Sequence, residues 1–386
     1  MRSTAEAPLR TEMLEPHSRF TRSLLVEIAK ASVAGTLVDP RDIAHSPDDW
    51  VTLVDVAEAH QLAPLAYACL GRGCPDVPQT TMWGLEALWL RHRAWHRERT
   101  AALTEILREF ERLSIGALVL KGAALAWMIY PSPSLRPMSD IDLLVTPAIA
   151  PAAQAALGRL GFRAEKPVHR FGKKAHHLPI ASRRSGGLPI NVEIHVDALS
   201  RDTLSSIAIS NLTEPAQTFI LDGAAAFTLG HVDTLRHLTH HLLEPSWDGG
   251  IRLIGIVDLF RYAAAFHDRI EWPRLEKDYP SVLNGLSCFH HVIPLPPVLA
   301  RFAPASTAPI PAGVAEAMRP LRWILRQRRP SIAVLRDLFN PPDWWLHAYY
   351  GVSAGRSLLP VRAFRHPWRI ARWFGLRLSG SGLPRS

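Results

Sequence analysis

The feature that most constrains this chain is a change of hydrophobic period near Ile115. Up to Glu111 the apolar residues recur at three- and four-residue spacing, in DDWVTLVDVAEAHQLAPLAYACL and in MWGLEALWLRHRAWHRERTAALTEILREFERL, the pattern of amphipathic helices. Ala117-Leu118-Val119-Leu120 is then a short apolar run that stops at Lys121-Gly122. A helical segment over Ala123 to Tyr130 follows, then a loop with Pro131, Pro133 and Pro137, then Asp140-Ile141-Asp142 leading into a second apolar run. The resulting order is strand, glycine turn, helix, loop, strand. On a strand alternate side chains share a face, so Asp140 and Asp142 point the same way with Ile141 packed behind them. Two such acids repel. A hard cation such as Mg²⁺ relieves that repulsion, typically keeping several waters and taking one or two carboxylates together with phosphates.

The residues around this pair suit an anion. Glycine after a strand lets the backbone approach a phosphate closely, and the next helix offers free N–H groups and the positive end of its dipole. Lys121 adds a charge, and Arg136 stands in the intervening loop. A third carboxylate is expected from another strand. Leu188 to Val196 alternates, with Ile190, Val192, Ile194 and Val196 on one face and Asn191, Glu193 and His195 on the other, which makes Glu193 the candidate. A short strand is predicted around His176 to Ile180, and Ser185-Gly186-Gly187 reads as a hairpin turn into the Glu193 strand. That hairpin brings Lys173, Lys174, His176 and His177 near one edge of the site.

The stretch LKGAALAWMIYPSPSLRPMSDIDLLV resembles the signature of the uncharacterised nucleotidyltransferase-like family within the DNA polymerase β type nucleotidyltransferase superfamily. Glu193-Ile194-His195 resembles that family's acid-x-His element. AEAHQLAPLAYACL upstream and LTHHLLEPSWDGGIRLIGIVDLFRYAAAFHDRIEWPRL downstream extend the resemblance over roughly residues 20 to 300. It implies an α+β fold: a small mixed sheet forming a nucleotidyltransferase core, flanked by N-terminal and C-terminal helical regions. It also implies Mg²⁺-dependent transfer, with Mn²⁺ as the alternative ion, of a nucleoside monophosphate from an NTP to an acceptor, releasing pyrophosphate. Asp140, Asp142 and Glu193 would be the catalytic, metal-holding acids. Lys121, Gly122, Arg136, Ser139, Lys174, His177 and His195 are the nucleotide-binding candidates. One departure is Ala123, where the wider superfamily usually has a serine after the turn glycine. The acceptor is a small molecule, a peptide or natural product, or a protein.

At 386 residues the chain exceeds what one core usually fills. The patterns divide it into a helical region over 1–112, the nucleotidyltransferase core over 113–230, a helical domain over 231–350 and a basic tail over 351–386. No apolar run of about 18 residues suggests a transmembrane segment, and the N-terminus lacks a signal-peptide stretch, so a cytoplasmic protein is expected. Three sparse cysteines, Cys69, Cys74 and Cys288, fit a reducing compartment.

The formal charge of +9 points to an anionic partner without naming it. In the tail Arg362, Arg365, Arg369, Arg372 and Arg377 alternate with Phe364, Trp368, Trp373 and Phe374, and no acid occurs from Gly351 onward. A helix docking its aromatics on the body and solvating its arginines is the simpler expectation, with lipid or RNA as the competing partner. Arg91 to Arg99 could face a nucleotide and Met318 to Arg329 could bind an acceptor, but solvated basic helices are the simpler reading of both. His237 and His241, four apart, read as part of a packed helix, not a zinc site. Asp258, in an apolar helix, is expected to pair with Arg252 or Arg261. Two other functional classes stay open: a non-catalytic nucleotide-binding regulatory module, and an RNA-modifying or RNA-binding protein.

Overall fold

The computed structural model describes residues 19–42, 47–71, 76–164, 176–199, 205–244, 251–304, 339–353 and 355–378. Lys173, Lys174 and the Met318–Arg329 segment lie outside them. Four helices open the described chain: α1 (Arg19–Ala34), α2 (Pro47–Ala59), α3 (Ala63–Leu70) and α4 (Gln79–Arg112). The last buries Leu85, Ala102, Leu103, Ile106 and Phe110 along one side, as the helical spacing of its apolar residues requires. The same side also buries His92 and Arg99, which corrects the expectation of a wholly solvated basic segment. His92 Nε2 meets Glu58 Oε2 at 2.8 Å.

The change of period then produces β1 (Leu118–Val119), α5 (Lys121–Met128) and β2 (Asp140–Leu144). After α6 (Ala150–Arg159) and β3 (Arg163–Ala164) comes the hairpin of β4 (Ala181–Ser185) and β5 (Leu188–His195). The strands form one mixed sheet in the order β1-β2-β5-β4-β3, in which β2 and β5 run parallel and the other pairs antiparallel. The Gly186-Gly187 turn has φ of 55° and 82°, a conformation that glycine adopts without steric cost. The strand expected at His176–Ile180 begins five residues later, at Ala181. What His177 makes is a single bridge to His195. Its ring nitrogen already meets the neighbouring Leu178 carbonyl, at 2.7 Å, and this local bond competes with a regular ladder.

A second hairpin, β6 (Gln217–Leu221) with β7 (Ala224–Thr228), stands beside β1, where Thr228 Oγ1 donates to the Val119 carbonyl at 2.6 Å. The chain continues through α7 (His231–Leu243), α8 (Leu253–Ala265), α9 (Trp272–Asp278), α10 (Pro280–Phe289), α11 (Asp343–Tyr350) and α12 (His366–Leu378). The architecture is thus α+β, with a small mixed sheet and helices at both ends. No described helix is long and apolar enough to cross a membrane.

Two large cores hold it together. One lies on the sheet and joins Ile141, Leu143, Val192 and Ile194 to Leu103, Ile106 and Phe110 of α4 and to Ala153 and Leu157 of α6. The other is shared by the two ends of the chain: Leu24, Leu53 and Leu65 pack in the same cluster as Ile256, Phe260, Leu286 and Trp345. In the tail the expected arrangement is partly inverted. Arg369 is buried over the Tyr349 ring at 4.8 Å, with its Nε donating to the Tyr349 hydroxyl at 3.0 Å, while Phe364 and Trp368 are exposed.

Candidate active site

The site is built where the two parallel strands run side by side. The register sets Asp142 opposite Glu193, and Asp140 opposite Asn191, so the acids of β2 and β5 face the same side of the sheet. Ile141, Val192 and Ile194 on the other side are fully buried and fix that orientation. His195, two residues beyond Glu193, shares its face, and its Nε2 reaches Asp142 Oδ1 at 2.7 Å and Glu193 Oε2 at 3.3 Å. Lys121, at the start of α5, brings Nζ to 3.1 Å from Asp142 Oδ2. Its φ of 48° is a left-handed conformation unusual for a lysine. Meanwhile Leu120 N–H donates to the Asp142 carbonyl at 2.9 Å, which ties the turn to β2. Ser139 Oγ donates to Asp140 Oδ1 at 3.1 Å, and His177 Nε2 lies 4.0 Å from Glu193 Oε2.

Burial and mutual charge set the protonation of this group. Burial would raise the Asp142 carboxyl, but the Lys121 ammonium and the His195 bond outweigh it and hold the group well below the usual carboxylate range. Burial works against the charged forms of Lys121 and His195 too, and the surrounding carboxylates overcome it, so both are raised. Asp140 differs. Burial and then the Asp142 charge push its carboxyl up, and among the described residues it makes no ion pair. His176 is driven down to about 2, by burial first and then by His195 and His177, so it is a neutral ring beside the acids.

The donor set suits a cation. One ligand atom each from Asp142, Glu193 and His195 lies within 4.8 Å of the others, and carboxylate oxygens suit Mg²⁺ and Mn²⁺ while the imidazole nitrogen is more at home with the latter. Asp140, on the same face, extends the acidic surface toward the Ser139 end.

The family described as uncharacterised nucleotidyltransferase matches residues 46–281, more than half of the chain. The chain belongs to that family. The signature around Asp140 and Asp142 pointed there, and with membership the protein is a transferase of nucleotidyl groups. The solution structure of the antibiotic-resistance factor ANT(2'')-Ia is similar over 51% of this chain and 98% of that one, at 13% identity and a TM-score of 0.33. No curated protein sequence matches.

Several sequence-predicted residues of this nucleotidyltransferase come together: Asp140, Asp142, Glu193, Lys121, Ser139, His177 and His195. Gly122 lies beside Arg136, where a β-carbon would stand 3.3 Å from Arg136 Nη1 and 3.4 Å from Met138 Cβ. Arg136 itself is a correction. Its Nε is 2.9 Å from both oxygens of Asp258, its Nη2 is 2.6 Å from Oδ2, and the Tyr130 hydroxyl donates to Oδ1 at 2.6 Å. The guanidinium expected to meet a nucleotide is therefore committed to an acid of α8. Asp258 in turn pairs with neither Arg252 nor Arg261. Arg261 donates to the Ile129 carbonyl, at 2.7 Å from Nη2, and stacks over Tyr130. Lys174 lies outside the described residues. His237 is buried on α7 and its ring centroid stands 6.4 Å from that of His241, in keeping with a packed helix.

Proposed function

We propose that this protein transfers a nucleoside monophosphate from an NTP to an acceptor hydroxyl and releases pyrophosphate, using Mg²⁺ or Mn²⁺ held by Asp142 and Glu193 with Asp140. The observation that carries this reading is the pairing of Asp142 with Glu193 across two parallel strands, with a lysine ammonium at 3.1 Å on the same face. In the reaction a bond forms between the acceptor oxygen and the α-phosphorus, and the bond to the pyrophosphate oxygen breaks. A bound divalent ion would supply charge neutralisation for the triphosphate and polarise its oxygens. Lys121 offers a further positive charge, preorganised by its contact with Asp142, toward the same phosphates. Asp140, in no ion pair among the described residues and with a raised carboxyl, is the acid best suited to accept the acceptor's proton or to complete the ion's shell. The acceptor is a small molecule, a peptide or a protein.

The test is incubation with each α-labelled NTP, Mg²⁺ or Mn²⁺ and candidate acceptors, with Asp142→Asn as control. Alanine is a poor control there, because it would leave Lys121 and His195 facing an empty buried space. Label transfer by the wild type and its loss by orders of magnitude in Asp142→Asn is the expected result. Transfer that survives the substitution would refute the proposal.

A further inference from the structure

Among the described residues Arg99 is a buried cation with no hydrogen-bond or ion-pair partner. It lies on α4, outside the sheet, yet it is only 6% exposed, and its Nε is buried with no hydrogen-bond acceptor. Among the described residues its guanidinium makes no ion pair; it stacks on the Trp95 ring at 5.3 Å. A buried arginine ordinarily sits in a carboxylate or carbonyl cradle, as Arg136 and Arg261 do in this same molecule.

The position of Arg99 is informative. It shares the buried side of α4 with Ala102, Leu103 and Ile106, which pack on the sheet face opposite the acids, so any approach of its guanidinium to the site is around the end of the sheet. The adjacent Glu98 accepts a hydrogen bond from Ser185 Oγ at 2.7 Å, just before β5 begins. Because β2 and β5 are parallel and Asp140 opens β2, that end of the sheet is the Asp140 end of the active site. The Asp140 charge acts on Arg99 accordingly, partly opposing the lowering that burial causes.

We infer that Arg99 is a receptor for the triphosphate of the nucleotide, reaching it from the helical region at the Asp140 end while Lys121 stands at the Asp142 end. The inference rests on the function proposed above. Arg136 cannot serve in this way because Asp258 and the Pro137 carbonyl occupy it. A phosphate oxygen would give the buried Nε–H and its neighbours the charge-assisted acceptor they lack, and Trp95 holds the guanidinium plane.

Calorimetric titration of the full chain with each NTP and with inorganic tripolyphosphate, in the presence of Mn²⁺, tests it. Mn²⁺ binding alone is followed by electron paramagnetic resonance. Arg99→Met is expected to weaken both NTP and tripolyphosphate by about 10- to 100-fold, Arg99→Lys by less, and Mn²⁺ alone to bind as tightly as before or more so. Unfolding midpoints in urea, compared for both variants, verify that the lost affinity comes from folded protein. Unchanged tripolyphosphate affinity in Arg99→Met would overturn the inference while leaving the proposed function standing. A fall in Mn²⁺ affinity with nucleotide affinity intact would also overturn it, since Arg99 would then act through Asp140. A wild type that binds neither NTP nor tripolyphosphate removes both readings.

Discussion

Substitution of Asp258 separates the two roles that Arg136 could have. The Arg136 side chain is 11% exposed and Asp258 2%, so neither charge is well solvated in the folded state. Asp258→Asn keeps the shape of the acid but leaves the guanidinium facing a neutral amide in a buried place, which costs about 3–5 kcal/mol when a buried pair is broken from one side. Arg136→Met leaves the carboxylate with only the Tyr130 hydroxyl and costs a similar amount. Joint replacement by Arg136→Met and Asp258→Leu removes both charges and is expected to be close to neutral, because an apolar pair needs no compensation for lost hydration. With Asp258→Leu measured alone as well, so that the double-mutant cycle closes on the same substitutions, the coupling should be at least about 3 kcal/mol. Equilibrium urea unfolding followed by tryptophan fluorescence measures it, and nucleotide titration of the folded Arg136→Met protein supplies the second readout. If Asp258→Asn costs under about 1 kcal/mol, or if Arg136→Met abolishes NTP binding at undiminished stability, the structural assignment is wrong and Arg136 is a nucleotide ligand.

Other outcomes follow from the same geometry. Gly122→Ala would place its β-carbon against an Arg136 side chain that Asp258 prevents from moving; a cost of about 1–3 kcal/mol in urea unfolding is expected. His195 has a raised value in the fold, so its contribution to stability is full below its ordinary 6.5 and fades as pH rises through the higher folded value. The wild-type urea midpoint measured in chelator should thus fall as the pH is raised above His195's ordinary 6.5, and fall less in His195→Gln. Cys69 and Cys288 are buried, and burial raises their thiols to about 11 and about 12. Iodoacetamide near neutral pH should leave both unmodified in native protein and label them in urea, as peptide mass spectrometry would show.

The placement of the candidate acids on one sheet face was legible because period-2 alternation carries its own geometry. Asp140 and Asp142 had to share a face, and the polar face of LPINVEIHV named Glu193 and His195 together. What alternation does not fix is which strand pairs with which, in what direction and in what register. The contact of His195 with Asp142 depends on all three. The Asp258 partner of Arg136 went unseen for a similar reason: it lies 122 residues away on α8, and an arginine beside an acidic motif looks the same in sequence whether it waits for phosphate or is held by a distant acid. Arg99 did have a local sign. It stands at three-, four- and seven-residue spacing from Ala102, Leu103 and Ile106, on the apolar side of its helix, where a solvated cation would not be expected.

The shared core of the two helical ends gives these side chains a common mechanical setting. α4 carries Arg99 and packs on the sheet, while α8 carries Asp258 and packs with α1 in the cluster that unites both ends of the chain. The loop leading to Asp140 is then gripped from α8 through Arg136, and the Asp140 end of the sheet is covered from α4. The sheet alone could supply Asp140, Asp142 and Glu193, but without α8 its arginine loop would lose the acid that immobilises it. An isolated core over 113–230 should therefore expose apolar faces that the helices now cover and hold the 133–138 loop loosely. On the role inferred for Arg99, restoring nucleotide affinity to such a fragment would require the helices from both termini, α4 for its guanidinium and α8 for the acid that holds Arg136.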